Sequence, residues 1–430
     1  MKLIFHKIFT DGTLFVIMDV ELLKGFTPLG DSDQKAGEGG LSLREWDAAI
    51  RQLMETHHIA GLAASVVREG RMLWSGGYGW ANLQRRIPVT SRTIFRIASI
   101  SKTVVASAFM QLVERGLCGI DQDVGDILGI PLRNPNHPEQ AITFRHLMTH
   151  TSGLQDEYAR FVTDSHNENP PTLTLADLVL EGGAYYTDHL WGIGKPGDMD
   201  GFEYSNLGAV ILAAAVERLS NERFDLYCRK HLFEPLQMND TSFYIGDFAQ
   251  KMDDIAVLYE YDNEADSYLV GTDDFGGQLP APTDYSSYVP GTNGALFSPQ
   301  GGLRTTVDDL TSFLLAHVNE GCFRDVRILH PETAKLMHTA HWTGHRHDGF
   351  FKHSGLQFHR TNELIPGQWL VGHAGDAYGL LSDMYFHEQE RWGFIMIMNG
   401  VHRGDKGDGA YFRPEEELAG LLYETFLKDL

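Results

Sequence analysis

Two sets of strand-like runs lie near opposite ends of the chain. Gly61 to Val67 and Met72 to Tyr78 read as a hairpin around a turn at Glu69-Gly70. Trp369 to Gly372, Leu380 to His387 and Trp392 to Met398 read as three more strands joined by short turns. Between the sets the pattern is mostly helical. Val105, Phe109, Leu112 and Val113 form an apolar stripe that stops at Gly116, and 143–148, 174–181 and 206–218 read as further helices. Segment 246–300 is loop-rich, and 305–318 is helical again. Helices also flank the strands. Ser42 and Glu45 form a capping box ahead of Leu43, Trp46, Ile50 and Leu53, giving a helix over 43–57. Pro414 suits the first turn of a last helix running to Leu427.

The order predicts an α+β fold in which the two ends build one antiparallel sheet flanked by helices. The mainly helical middle is then an inserted lobe. The expected boundaries are a flexible segment over 1–41 and a single domain over 42–430, with a sheet lobe at about 42–98 and 300–430 and a helical lobe at about 99–299. No internal repeat is visible. A cleft between two such lobes is a common place for a ligand.

Charge narrows the partners. With 35 basic and 58 acidic residues the net charge is −23, which opposes binding to nucleic acid or anionic membrane. No apolar run approaches the roughly 20 residues that span a bilayer. The N-terminal apolar stretch is broken by His6, Lys7, Asp11 and Asp19, so it reads as a poor secretory signal, and a cytoplasmic location is the expectation. Cys118, Cys228 and Cys322 form no C-x-x-C pair, and buried, reduced cysteine is the expectation for them.

Chemistry concentrates in three short stretches. In "RIASISKTVV", Ser99 and Lys102 are one turn apart at a helix start and face the same way. A serine needs a base to become a nucleophile. A lysine, with a reference pKa of about 10.4, becomes that base only when burial or a helix dipole lowers its pKa. The spacing recurs at Ser32 and Lys35, where polar, Gly-rich surroundings supply no such burial. A capping serine with a solvated lysine is the bland alternative. In "FEYSNLGAVI", Tyr204 and Asn206 share one side of an extended stretch before an apolar helix. Tyr204 can relay a proton, and Asn206 can donate to a substrate carbonyl and to Lys102; the alternatives are a half-buried aromatic and a helix cap. Tyr261-Asp262-Asn263 repeats the spacing in an acidic loop. In "WLVGHAGDAYGLL", His373-Ala374-Gly375 closes a strand, where glycine lets a ligand approach the backbone. Other His-x-Gly triplets start at 347, 353 and 402, so position singles out 373.

Together and in this order, Ser99-x-x-Lys102, Tyr204-x-Asn206 and His373-x-Gly375 resemble the penicillin-recognising serine hydrolases. The chain looks closest to the class C β-lactamase-like group with its D-peptidases and esterases. "LMTHTSGL", "KPGDMDGFEYSNLG", "QGGLRTTVDDLTSFL" and "GFIMIMNG" are similar to that group as well, so the likeness runs from about residue 43 to 425. The resemblance implies a serine β-lactamase/DD-peptidase-like fold, an acylated Ser99, and acid–base work shared by Lys102 and Tyr204. It also implies substrate orientation by Asn206, an oxyanion hole from the backbone N–H groups of Ser99 and Asp376, and no metal or organic cofactor. Two departures bear on the substrate. The β-lactamases of the group usually carry lysine in the third triplet, where His373 here is largely neutral at pH 7. Asp376 adds a carboxylate that repels anions and can welcome an amine. The expected activity is therefore that of a D-amino-acid peptidase, carboxypeptidase-like enzyme or esterase acting on a small molecule or short peptide. A true β-lactamase or acyltransferase is the alternative, and a non-catalytic penicillin-binding-like sensor is the rival of another class.

His338, His341, His345, His347 and His353 with Asp348 raise the possibility of zinc. No H-E-x-x-H occurs, and an exposed histidine-rich loop is the expectation.

Overall fold

The computed structural model describes residues 6–10, 13–19, 41–344, 349–404, 406–407 and 409–428. Among them, a nine-stranded antiparallel sheet joins the two ends of the chain. Its order is Trp342–Thr343, His353–Ser354, His359–Thr361, Leu370–Ala377, Leu380–His387, Trp392–Asn399, Gly61–Arg68, Arg71–Asn82 and Ile87–Pro88. The seam is the pairing of Trp392–Asn399 with Gly61–Arg68, which runs unbroken from Trp392 opposite Arg68 to Asn399 opposite Gly61. The turn between the first two long strands has Glu69 and Gly70 both at positive φ, 49° and 78°. Two such residues give the mirror-image turn whose twist matches a hairpin.

Both central C-terminal strands are buried along their whole length. Helices on both faces explain why "GFIMIMN" is apolar without alternation. Phe394, Met396 and Met398 pack with Trp46, Leu418 and Leu422 of the two terminal helices, Leu43–Thr56 and Arg413–Phe426. Ile395 and Ile397 face the opposite way, with Leu310 and Leu314 of helix Val307–Val318. Each such buried side chain contributes about 1.5–3 kcal/mol before entropy is subtracted. The capping box forms as read: the Ser42 side chain takes the Glu45 N–H, and Glu45 reaches back to the Ser42 N–H.

Helix Ser101–Glu114 differs from its expected amphipathic stripe. Every residue from Ser101 to Leu112 is buried. The helix lies between the lobes, against helix Asn206–Ser220, so it has no solvent face to keep polar. Segment 246–300, expected as loop, holds a hairpin of Leu258–Asp262 and Ser267–Thr272, which also places the Tyr261 repeat of the tyrosine spacing on a strand. Strands His6–Thr10 and Thr13–Asp19 lie within the first 41 residues, which were expected to be flexible, and the second pairs with that hairpin. Ser32, Lys35 and the Gly-rich lead-in up to residue 40 lie outside the described residues. Cys228 is buried, whereas Cys118 and Cys322 are half-exposed, and all three are free. No helix among the described residues is long and apolar enough to cross a membrane.

Candidate active site

Ser99 sits in a short 3-10 turn, Ala98–Ile100, that leads straight into helix Ser101–Glu114. Ala98 adopts φ 48°, a strained value for a residue with a Cβ. The turn is held from both sides. Ser101 Oγ donates to the Ala98 carbonyl at 2.6 Å and accepts from the Leu303 N–H at 3.2 Å. Strand Leu370–Ala377 passes close by. A Cβ on Gly375 would lie 2.7 Å from the Ile97 carbonyl oxygen and 3.0 Å from Ala98 Cβ, so only glycine permits this approach. His373 thus lies inside the strand, not at its end.

Lys102 is fully buried. Its Nζ lies 2.8 Å from Ser99 Oγ, 2.6 Å from Asn206 Oδ1 and 2.8 Å from the Gln300 carbonyl oxygen. Burial pushes its pKa down to about 7, against the opposing charge of Asp156. Its Nζ also stands 5.0 Å from the centre of the Tyr204 ring. Burial pushes the Tyr204 phenol above its usual range, and the Ser99 hydroxyl works the other way, so the phenol keeps its proton at neutral pH.

Asn206 is held between two groups. Its Oδ1 faces Lys102, and its Nδ2 donates to Asp156 Oδ2 at 2.5 Å. The amide therefore accepts from Lys102 and does not donate to it, the reverse of the expected direction. Asp156 takes one of its two amide hydrogens. Asp156 also accepts the Asn206 and Leu207 backbone N–H groups at 2.8 and 3.2 Å, at the start of helix Asn206–Ser220. Under the Tyr204 ring lies His150, centroid to centroid 4.5 Å, whose Nδ1 takes the Ser205 N–H at 3.2 Å. His150 comes from the "LMTHTSGL" stretch. Sequence reasoning missed Asp156, which stands outside every quoted motif.

A cavity of about 280 Å³ opens on Ser99, Tyr204, His373, Gly375 and Asp376. It gathers five of the seven residues singled out from sequence, and Lys102 and Asn206 stand behind them. Phe351, Phe412, Glu415 and a cation, Lys406, are also on its walls and carried no signal of their own. His373 is buried, with a pKa lowered to about 3 by burial and then by Lys102, so the ring is neutral. Its Nδ1 lies 2.5 Å from the Ala374 carbonyl oxygen and must carry the proton. Its Nε2 is then a bare acceptor with no partner. Asp376 is paired with Arg403, so its charge is partly neutralised. Glu415 accepts the Phe412 N–H at 2.8 Å and lies beside Asp383, and burial raises both acids.

The histidine-rich stretch does not behave as one exposed loop. His338 is buried against His317, Nε2 to Nδ1 at 3.0 Å, because it closes a helix packed on the sheet lobe. His345, His347 and Asp348 lie outside the described residues. Among the described residues no group of three or more His, Cys, Asp or Glu side chains is arranged to hold a metal ion.

Comparisons with known proteins bear on the family and the fold. The family model described as Beta-lactamase matches residues 46–416. The chain is 28% identical over 293 residues to penicillin-binding protein 4* of Bacillus subtilis, covering 65% of this chain and 59% of that one. It spans about half the length of the curated relatives it matches. Among solved structures it is similar to the octameric penicillin-binding protein homologue from Pyrococcus abyssi, with 25% identity and a TM-score of 0.66 over 90% of this chain and 79% of that one. D-amino acid amidase from Ochrobactrum anthropi SV3 shares the fold, with 19% identity and a TM-score of 0.63 over 88% of this chain and 98% of that one.

Proposed function

We propose that this chain, which belongs to the beta-lactamase family, is a serine hydrolase that cleaves an ester or amide through an acyl-enzyme on Ser99. The observation that carries the reading is the set of partners around Lys102. Two of its three neighbours, Asn206 Oδ1 and the Gln300 carbonyl, can only accept hydrogen bonds. A neutral amine has two hydrogens and one lone pair. The hydrogens satisfy those two acceptors, and the lone pair is left for the Ser99 hydroxyl at 2.8 Å. With a pKa of about 7, much of the lysine is neutral at pH 7. Lys102 then takes the hydroxyl proton as Ser99 Oγ attacks the substrate carbonyl. The backbone N–H groups of Ser99 and Asp376 receive the oxyanion. Tyr204, a protonated phenol at the same cavity, passes a proton to the departing oxygen or nitrogen. Water reverses the steps to free the acid and restore Ser99.

Within that class we favour D-amino-acid amides or short D-peptides, with simple esters as the second reading. Neutral His373 lacks the charge that would draw a substrate carboxylate, and Asp376 sets a carboxylate against Lys406, the cation on the cavity wall. Glu415 adds another acceptor on the cavity wall. Both suit a substrate amine or amide N–H. The fold shared with a D-amino acid amidase is consistent with this reading. A panel of a short-chain aryl ester, D-amino-acid amides, a D-Ala-D-Ala peptide and a cephalosporin tests it. Turnover of D-amino-acid amides above the cephalosporin is expected, with a phosphonate adduct mapping to Ser99. Faster cephalosporin hydrolysis would make it a β-lactamase. An adduct without turnover of any substrate would make it a sensor.

A further inference from the structure

A second cavity, of about 340 Å³, shares no lining residue with the first and has no part in the chemistry above. That volume is within the range of small-molecule sites. Tyr244, Phe275, Tyr285 and Phe297 give it aromatic walls. Arg96 and Arg304 supply its charge. Arg304 is already paired: its Nε and a terminal nitrogen hold both oxygens of Asp273, at 2.8 and 2.7 Å. Arg96 is not. Its Nε donates to the Gly301 carbonyl at 3.0 Å, and its guanidinium lies 4.9 Å from the Tyr378 ring centre. Among the described residues no carboxylate is within ion-pair distance of it, and none lines the cavity. His166, the remaining basic group on the wall, is neutral: burial lowers its pKa, and it donates from Nε2 to the Leu296 carbonyl at 3.1 Å. The cavity therefore carries one unbalanced positive charge inside an aromatic shell.

We propose that this cavity is a binding site for an organic anion, a carboxylate on an aromatic body, held by the Arg96 guanidinium. A planar guanidinium pairs a carboxylate through two parallel hydrogen bonds, and the Arg96 guanidinium, bonded to the Gly301 carbonyl and the Tyr378 side chain, has no carboxylate on it. The aromatic walls take the ring by stacking and edge contacts. Burial and then the neighbouring Arg304 charge destabilise the cationic form of Arg96, Tyr378 and Asp273 offset part of this, and a bound anion offsets more. The site rests on Arg96 alone, so it stands or falls apart from the acyl-transfer reading.

The test is calorimetric titration of the full chain with 3-phenylpropionate and, as its uncharged match, 3-phenylpropanamide. The acid is expected to bind one to one, at least tenfold tighter than the amide. Arg96→Gln should abolish that difference. Ala281→Trp, at an exposed wall position, should block both ligands while leaving Arg96 in place. Equal binding of acid and amide by the natural chain overturns the proposal, as does an unchanged preference in a folded Arg96→Gln protein. Should Arg96→Gln fail to fold, undiminished binding of the acid by Ala281→Trp overturns it alone.

Discussion

Two serines near or on one helix each stand beside a buried nitrogen base, and only one of them faces a cavity. Ser99 has Lys102 Nζ at 2.8 Å. Further along, Ser107 Oγ lies 3.2 Å from His317 Nε2. His317 Nδ1 meets His338 Nε2 at 3.0 Å, and His338 Nδ1 is 3.6 Å from Glu388. On chemistry alone the second set looks the more complete, a hydroxyl, two imidazoles and a carboxylate in line. Burial lowers the pKa of both its histidines, as it lowers that of Lys102. What separates the sets is access. Ser107 is fully buried, and the cavity of about 460 Å³ near His317 and His338 does not reach it. Its oxygen also bonds the Thr103 carbonyl at 2.8 Å. A perturbed base beside a serine marks a site only where a substrate carbonyl can reach the oxygen.

The largest expected effect separates the two serines directly. Ser99→Ala should remove turnover of every substrate, a loss of roughly 10⁶ by analogy with other serine hydrolases. Intact-mass analysis should show no phosphonate adduct on this variant. An adduct on Ser107 in either protein would erase the distinction.

Next come the partners of Ser99. Lys102→Met and Tyr204→Phe should each cost roughly 10²–10⁴ in kcat/KM, the range for a general base or acid. If both handle the same proton, the double variant should be little worse than the worse single one. The natural enzyme must have Lys102 neutral, so kcat/KM should fall as pH drops through about 7. Lys102→Met should lose that limb from its residual profile. A limb that persists in Lys102→Met belongs to another group.

How much of this was legible follows from sequence distance. Ser99 and Lys102 are three residues apart, and Tyr204 and Asn206 two, so a spacing rule finds them. The long C-terminal strands announce themselves by unbroken apolar runs. The edge strands at 342–343, 353–354 and 359–361 are too short to carry a period. The 258–272 hairpin is acidic enough to read as loop. Asp156 matters only because the chain brings it to the start of a helix fifty residues later. Glu415 looks like an ordinary first-turn acid, and its place on the cavity wall is a tertiary fact. The Ser107 set draws on residues 107, 317, 338 and 388, which no local pattern joins.

The His317–His338 pair should act on stability rather than on rate. Both rings are held neutral in the fold, with pKa values below the usual 6.5. Below that pH the unfolded chain binds protons that the folded chain does not, so stability is lost as pH falls. Each histidine contributes a slope of at most about 1.4 kcal/mol per pH unit. Urea titrations at pH 7.5 and 5.5 should show His338→Gln with a smaller loss than the natural chain. Its kcat/KM at pH 8 should be unchanged. An equal loss in both proteins would mean that His338 is protonated in the fold.

The smallest effect expected is that of Ser107→Ala, and it is the most direct check on the contrast. With the His338 Nδ1–H turned toward Glu388, 3.6 Å away, His338 Nε2 accepts from His317 Nδ1, and His317 Nε2 is left as an acceptor facing Ser107. The serine has one proton for two acceptors, His317 and the Thr103 carbonyl. Alanine removes that donor and leaves His317 Nε2 buried without one, while Thr103 O keeps its helical bond. Leaving a neutral acceptor unpaired costs about 1–3 kcal/mol, and the helix preference of alanine returns part of it, since serine is less favourable by up to about 0.5 kcal/mol. A net destabilisation near 1 kcal/mol in urea is therefore expected, with kcat/KM intact at pH 8. A loss of activity beyond about threefold in a fully folded Ser107→Ala protein would tie the sealed relay to the reaction and remove the difference between the two serines.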